Sequence, residues 1–234
     1  MSAPFEATGE AGPDRSLEAN VRSAGAAFED WRERLASSIR APEFQRRRAI
    51  FEELNPGLTI HPFEKDGVRQ PLRDAAVLIP IVQRPEGASV ILTVRTNDMP
   101  THAGQISFPG GRAQPEDEGP VETALREAHE EIGLSPDAVS VIGPLGVHVG
   151  GKFFAVTPVL AEVDPEADLQ ACPREVAEIF EAPLSHFGDI ANHDYIWVEA
   201  GDARYKMFSA PYGEYNVWGL TAGILRTVAD ALNK

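Results

Sequence analysis

The sequence predicts an α/β fold, and two observations carry that prediction. Stretches with helical periodicity and stretches with strand-like periodicity alternate along the 234 residues, as they do in folds that combine helices with a sheet. Hydrophobic residues make up 43% of the chain, which is enough for one well-packed core with additions, or for two small domains at most.

A leader and a helical extension are expected at the N-terminus. Residues 1–20 are polar and rich in small residues, a composition typical of poorly ordered segments. A helix is predicted next, because apolar residues recur three or four apart until Pro42 interrupts them: Phe28, Trp31, Leu35 and Ile39. A second helix is predicted over 43–54, where the turn-forming Asn55-Pro56-Gly57 ends it.

The main domain is predicted to begin near Asp74, so that residues 21–73 form the extension and residues 74–234 the domain. Segments 75–82 and 89–94 are apolar and rich in β-branched residues, which predicts two neighbouring strands with a turn between them. Pro80 within the first segment favours a bulge or an edge position. The role of the extension stays open: it covers a cleft, forms a dimer contact or enlarges the core.

The later elements follow from the same periodicities. We predict a helix over 120–132, strands over 139–149 and 153–163, a short helix over 174–181, a hairpin-like stretch over 193–209 and a closing helix over 217–232.

Cysteine usage and charge limit the possible functions. The single cysteine, Cys172, excludes an intramolecular disulfide framework, and with no secretory signal or membrane-spanning apolar run it predicts a soluble, cytoplasmic protein. The formal net charge of −15 argues against nucleic-acid binding, which needs many phosphate-neutralising Lys and Arg side chains. A small phosphorylated ligand needs only a local basic cluster or a bound cation, and remains possible.

One predicted helix carries an unusual cluster of acids. Glu127, Glu130 and Glu131 stand at positions i, i+3 and i+4, so their carboxylates share a helix face. Like charges at these spacings repel by about a few tenths of a kcal/mol per pair, and that face has no lysine. A divalent cation such as Mg²⁺, which binds carboxylates, waters and substrate phosphates, would remove the repulsion. For an isolated run of glutamates, a solvated acidic face would be the simpler interpretation.

The segment upstream of that helix favours the metal. Phe108-Pro109-Gly110-Gly111-Arg112 comes first, and the acidic loop 115–119 then leads into the helix. Adjacent glycines let the backbone approach a ligand closely. A Gly-Gly turn alone is common, whereas this turn followed by an acidic loop and Arg-Glu-x-x-Glu-Glu-x-Gly is rare.

The stretch from Gly111 to Leu134 resembles the Nudix box, Gly-x5-Glu-x7-Arg-Glu-U-x-Glu-Glu-x-Gly-U, in which U is bulky and apolar. The matching residues are Arg126, Glu127, Glu130, Glu131, Gly133 and Leu134. Ala128 is smaller than the usual U residue, and the loop acid is displaced. Either Asp117 or Glu118 therefore takes the place of that acid and pairs with Arg126.

Other segments are similar to those of the coenzyme A pyrophosphatase branch of this family. Residues 92–96 and 102–111 are similar to its additional signature, although Pro100 stands where the branch has a basic residue. The tail segments 175–184 and 218–222 also resemble that branch, and the resemblance covers about residues 74–228.

This resemblance implies an α/β/α sandwich with a mixed sheet, preceded here by the helical extension. It implies an enzyme that hydrolyses the diphosphate bond of coenzyme A or its thioesters to adenosine 3′,5′-bisphosphate and a phosphopantetheine product. The alternatives are a pyrophosphatase for ADP-ribose, NADH or another nucleoside diphosphate derivative, and a non-catalytic nucleotide-binding module. A small nucleotide substrate, no nucleic acid, no membrane and a possible homodimer are expected.

The resemblance also implies roles for single residues. Glu127, Glu130 and Glu131 would bind Mg²⁺ or Mn²⁺, with a carbonyl of Gly110 or Gly111 as a possible further ligand. Arg126 would orient the carboxylates.

The remaining assignments concern the substrate and the attacking water. Arg95, Arg112 and Lys152 are candidate phosphate contacts, as basic side chains that can pair with phosphate oxygens. The general base is open: a glutamate of the cluster, Glu175 or Glu178. The simpler interpretation of Glu175 and Glu178 is a solvated face of the predicted helix. Trp218, Tyr212 and Tyr215 either stack on a nucleobase or belong to the core, and His102 either acts near the phosphates or caps a turn.

Overall fold

A mixed β-sheet forms the centre of the fold. The computed structural model describes residues 29–45, 50–56, 64–65, 68–69, 71–97, 103–150, 154–200 and 203–234. The strands in these ranges are β1 (Glu64–Lys65), β2 (Val68–Arg69), β3 (Arg73–Arg84), β4 (Gly87–Arg95), β5 (Ile106–Ser107), β6 (Gly110–Arg112), β7 (Val139–Pro144), β8 (His148–Gly150), β9 (Phe154–Val163), β10 (Val176–Pro183), β11 (Asp194–Ala200) and β12 (Ala203–Ser209).

The main sheet runs in the order β10-β4-β3-β9-β7, with β5 paired to β4, β6 to β3 and β8 to β9. Strands β3 and β9 are parallel, whereas the other pairs of this sheet are antiparallel. Strands β1 and β2 form a separate ribbon, and β11 and β12 form another. The predicted mixed sheet and the predicted hairpin near residues 193–209 are confirmed.

Helices cover both faces of the main sheet. They are α1 (Trp31–Ser38), α2 (Pro42–Gln45), α3 (Ile50–Leu54), α4 (Pro120–Ile132), α5 (Leu184–Gly188) and α6 (Gly219–Leu232). Side chains of β3 alternate between the two sides: Leu78 packs in the cluster that contains α4, and Ile79 packs in the cluster that contains α1 and α6. The predicted α/β/α sandwich is therefore confirmed.

The described part of the N-terminal extension enlarges the core. Trp31 and Leu35 of α1 are buried in the same cluster as α6. The Ser38 hydroxyl donates to the Ala231 carbonyl at 2.9 Å, and Arg34 Nη1 donates to the Leu232 carbonyl at 3.1 Å. These bonds satisfy carbonyls at the end of α6 that have no partner within the helix. The predicted leader, residues 1–20, lies outside the described residues.

The predicted helix over 174–181 is wrong. This segment forms β10, which pairs antiparallel with β4 from Val176↔Arg95 to Pro183↔Ser89. Its apolar residues Val176, Ile179 and Phe180 are spaced as in a helix. Pairing with the free edge of β4 satisfies the backbone hydrogen bonds of both strands, and such tertiary pairing overrides so short a helical pattern.

An edge position for Pro80 is also wrong, because β3 is internal to the sheet. The antiparallel ladders on one side of β3 cover residues 81–84 with β4 and 75–77 with β6. Pro80 lies in the gap between them. On that side the Leu78 N–H donates to the Pro109 carbonyl. The backbone nitrogen of Pro80, two residues later, points to the same side, and no paired strand there needs a hydrogen bond from it.

Among the described residues, no helix has both the length and the apolar character needed to cross a membrane.

Candidate active site

Helix α4 begins and ends as its sequence predicts. Pro120 occupies the first turn, where a missing N–H is harmless. Gly133 ends the helix with φ +67° and donates its N–H to the His129 carbonyl at 3.0 Å, a left-handed termination that favours glycine. Ala124 and Ala128 are fully buried against the sheet. Their small side chains let the helix lie close to β3 and β9, and Glu127 then lies beside Gly111.

Glu131 is the most deeply buried acid of the cluster, with 3% of its surface exposed. Its Oε2 accepts a hydrogen bond from the Gly110 N–H at 3.1 Å, and its Oε1 lies 3.6 Å from Arg95 Nη1. Burial raises the pKa of Glu131 to about 7; the Gly110 N–H and Arg95 oppose this, and the negative charges of Glu127 and Glu175 add to it. The Gly110 N–H and Arg95 therefore offset the cost of burying this negative charge only in part.

The two glycines of β6 make room for the glutamates. A Cβ on Gly111 would lie 2.4 Å from Glu127 Oε2, so a side chain there would displace the carboxylate. Gly110 has φ +158°, and a Cβ there would lie 2.4 Å from the Ala76 carbonyl oxygen. Position 110 thus needs a glycine for its conformation and for the lack of a Cβ, and position 111 needs one for the lack of a side chain. Their carbonyls as metal ligands stay a prediction.

Arg126 holds the loop acid and two glutamates together. Its Nε and Nη2 donate to the two oxygens of Asp117, each at 2.9 Å, and its Nη1 donates to Glu127 Oε1 at 2.9 Å and to Glu130 Oε1 at 3.3 Å. Asp117, rather than Glu118, is therefore its loop partner. All three nitrogens of the Arg126 guanidinium thus have partners among the described residues, and Nη2 also donates to the Arg112 carbonyl at 3.0 Å.

Asp117 is stabilised as a carboxylate by several donors. Besides Arg126, it accepts from the Gln114 N–H at 2.9 Å and from the Thr123 hydroxyl at 2.8 Å. The Arg126 guanidinium, followed by the Gln114 N–H, holds the pKa of Asp117 well below its usual range. Thr123 is fully buried and was not singled out from the sequence; its place three residues before Arg126 is the signal that indicates it.

Of the three predicted phosphate contacts, the structure places one side chain at the site. Arg95 reaches the site, and its buried Nε has no hydrogen-bond partner among the described residues. Arg112 is exposed and contributes its carbonyl to Arg126 at 3.0 Å. Lys152 and His102 lie outside the described residues.

Glu178, one of the candidate bases, contacts one of the candidate aromatic residues. Glu178 is on β10, not on a helix, and accepts a hydrogen bond from the Tyr215 hydroxyl at 2.6 Å, which raises the pKa of Tyr215 to about 12. Tyr215 stacks on Phe180 at 3.7 Å, and Phe180 belongs to the α6 side of the core. Tyr212 contacts His186 edge-on at 5.1 Å. A nucleobase platform at Trp218, Tyr212 or Tyr215 stays a prediction.

The chemistry of the donor set fits a hard divalent cation. Carboxylate oxygens are the ligands that Mg²⁺ and Mn²⁺ prefer. The half-buried Glu127 and the buried Glu131 both have raised pKa values, first of all because of desolvation. No three acidic, histidine or cysteine side chains of the described residues converge closely enough to enclose an ion. Arg126 donates to one oxygen of Glu127 and to one of Glu130.

Known proteins resemble this chain over its main domain. Residues 72–200 match the family model of the NUDIX domain. Proteins named "Uncharacterized Nudix hydrolase NudL" from Yersinia enterocolitica and Photorhabdus laumondii are 39% and 38% identical over 159 and 158 residues; the matches cover 68% of this chain in both cases, and 81% and 84% of those proteins. A solved Nudix hydrolase from M. smegmatis, RenU, is 25% identical, with a TM-score of 0.41 over 50% of this chain and 74% of that one.

Proposed function

The chain belongs to the Nudix family of hydrolases and acts on a pyrophosphate substrate; from this premise we propose that the substrate is coenzyme A or one of its thioesters. Hydrolysis of the diphosphate gives adenosine 3′,5′-bisphosphate and a phosphopantetheine product. Nudix hydrolases generally use divalent cations, and we propose Mg²⁺ or Mn²⁺ here.

The observation that carries the proposal is the meeting of four separate segments at one end of β4. The first contains Arg95, and the second contains Gly110, and both contact Glu131. The third segment begins with Glu175, whose carbonyl accepts a hydrogen bond from the Thr96 N–H of the first segment at 3.0 Å. The fourth segment contains Thr221, whose hydroxyl donates a hydrogen bond to the Ile106 carbonyl of the second segment at 3.0 Å. These segments are the ones similar to the coenzyme A pyrophosphatase branch, and their convergence supports a shared substrate site.

In this proposal Glu127, Glu130 and Glu131 would hold the cation, which supplies charge neutralisation on the diphosphate and lowers the pKa of a bound water. Arg126, fixed by Asp117, sets the positions of Glu127 and Glu130. The Gly110 N–H sets the position of Glu131. The free Nε–H of Arg95 is a donor for a diphosphate oxygen, because a guanidinium beside a phosphate forms a strong, charge-assisted hydrogen bond.

Product analysis by chromatography tests the proposal. The purified protein is incubated with coenzyme A, ADP-ribose or NADH in the presence of Mn²⁺ or Mg²⁺, and a Glu131→Gln variant is the control. We expect metal-dependent release of adenosine 3′,5′-bisphosphate from coenzyme A, and its loss in the variant. Cleavage of ADP-ribose or NADH alone would reject coenzyme A and keep the site. A folded protein that cleaves none of the three would instead be a nucleotide-binding module.

A further inference from the structure

Glu175 stands at the edge of the site on a loop that is fixed at three points. The Gln170 N–H donates to the Ile132 carbonyl at 2.8 Å, and the Cys172 N–H donates to the Glu131 carbonyl at 2.8 Å, so the loop is attached to the end of α4. Beyond Cys172, the Glu175 carbonyl accepts from the Thr96 N–H. The residue is therefore held between the end of β4 and the end of α4, the elements that carry Arg95 and Glu131.

The other carboxylates of the site already have partners. One oxygen of Glu131 accepts from the Gly110 N–H and the other faces Arg95. Glu127 and Glu130 both accept from Arg126 Nη1. Glu175, by contrast, is exposed, and its carboxylate has no hydrogen bond or ion pair with the residues that the structure describes. The pKa values of Glu127 and Glu131 are raised mainly because these two side chains are desolvated. The negative charge of Glu175 is close enough to add a small part to both shifts.

We propose that Glu175 is the general base of the hydrolysis, an inference that rests on the proposed function. The Glu175 carboxylate accepts a proton from the attacking water as the water oxygen bonds to one phosphorus of the diphosphate. The bond between that phosphorus and the bridging oxygen breaks, and its electron pair leaves with the departing phosphate. The Glu175 carboxylate has no partner among the described residues, and its loop is bonded to the ends of both α4 and β4, so it can take up the proton without giving up another contact.

Glu178, the alternative, is less suited to this role. Its carboxylate is engaged by the Tyr215 hydroxyl, and the ring of Tyr215 is stacked on Phe180. Phe180 packs on the α6 side of the sheet, whereas Glu131 belongs to α4 on the other side. Glu178 is thus a matched control: an exposed glutamate three residues from Glu175 that points to a different set of contacts.

The experiment compares Glu175→Gln with Glu178→Gln in the full chain. Turnover of coenzyme A and of ADP-ribose is measured with Mn²⁺, and Mn²⁺ binding is measured by calorimetry. We expect Glu175→Gln to lower kcat by about 10²–10⁴-fold, the usual contribution of a general base, with KM, Mn²⁺ affinity and melting temperature unchanged. Glu178→Gln should keep the wild-type kcat, and Glu175→Asp should recover part of it.

Three results would overturn the role of Glu175. One is a wild-type kcat in Glu175→Gln. A second is a loss of kcat that is accompanied by an equal loss of Mn²⁺ affinity, which would make Glu175 a metal ligand. A third is a loss of kcat in Glu178→Gln but not in Glu175→Gln. A wild-type protein active on ADP-ribose alone would reject coenzyme A while leaving the Glu175 comparison intact, and one inactive on both substrates would reject the proposed function and this inference together.

Discussion

The two faces of the central sheet are covered by helices of opposite character. Helix α6 buries eleven of its fourteen residues, whereas α4 buries five of thirteen, and one of those five is Glu131. Burial of apolar surface stabilises a fold, and burial of a carboxylate destabilises it unless the charge is matched. The comparison indicates that the α6 face supplies stability, while the α4 face gives up some stability by burying a carboxylate.

The largest expected effect is the loss of activity in Glu131→Gln. The change keeps the shape of the side chain and removes its negative charge, so kcat should fall by at least about 10²-fold, as when one electrostatic element of an active site is removed. Steady-state turnover with Mn²⁺ measures it. Glu116→Gln, which changes an exposed acid of the preceding loop, should remain as active as the wild type; equal activity of both variants would contradict the assignment of Glu131.

On the opposite face, Leu225→Ala should reduce stability and leave the chemistry intact. Leu225 is fully buried, and truncating such a leucine costs about 2–5 kcal/mol of unfolding free energy. Urea unfolding monitors the loss, and kcat per folded molecule should not change. If this variant lost kcat at a temperature where it is folded, the proposed separation between the two faces would be wrong.

Asp117→Asn should have a smaller effect, about 2–3 kcal/mol of unfolding free energy, because it removes the charge of a carboxylate that is the main anionic partner of the partly buried Arg126. The pKa of Asp117 is lowered in the fold, so its contribution is present above its ordinary pKa and is lost as pH falls. The variant should therefore lose less stability than the wild type between about pH 4 and pH 2. Glu118→Gln is the matched control, and an equal effect there would contradict the pairing seen in the structure.

The smallest expected effect is the pH dependence of the free energy of unfolding that Glu131 causes. The pKa of Glu131 is raised from 4.5 to about 7 in the fold, so between these values the folded protein binds more protons than the unfolded chain. Its stability in EDTA should thus fall as pH rises through this window, by about 2 kcal/mol after allowance for relaxation. Urea unfolding at pH 5 and pH 8 measures the change. Glu131→Gln should show a smaller decrease, and the same decrease in both proteins would refute the assignment.

Local signals made α4 predictable from the sequence. Pro120 at its start, Gly133 at its end and the apolar side that packs on the sheet act within one segment, so the predicted bounds 120–132 agree with the structure. By the same logic, β10 was missed because its strand identity comes from pairing with β4, which lies about eighty residues earlier along the chain.

The site was predictable in its residue types and less so in its contacts. The spacing of Glu127, Glu130 and Glu131 placed them on one helix, but the insertion in the loop left Asp117 and Glu118 equivalent until the loop conformation was known. The carbonyls of the two glycines stay predicted metal ligands. The contacts that the sequence did not indicate are the N–H that Gly110 donates to Glu131 and the space that Gly111 leaves for Glu127, because both depend on how closely β6 approaches α4.

Thermal melting of the wild type and of Glu131→Gln, with EDTA and with Mn²⁺ at pH 8, tests most directly whether α4 trades stability for metal chemistry. In EDTA the variant should melt at the higher temperature, because it no longer buries a partly compensated charge. Mn²⁺ should then raise the melting temperature of the wild type, since a ligand that binds only the folded state stabilises it, and should have little effect on the variant. A variant that melts lower in EDTA, or that gains as much from Mn²⁺ as the wild type does, would contradict this account.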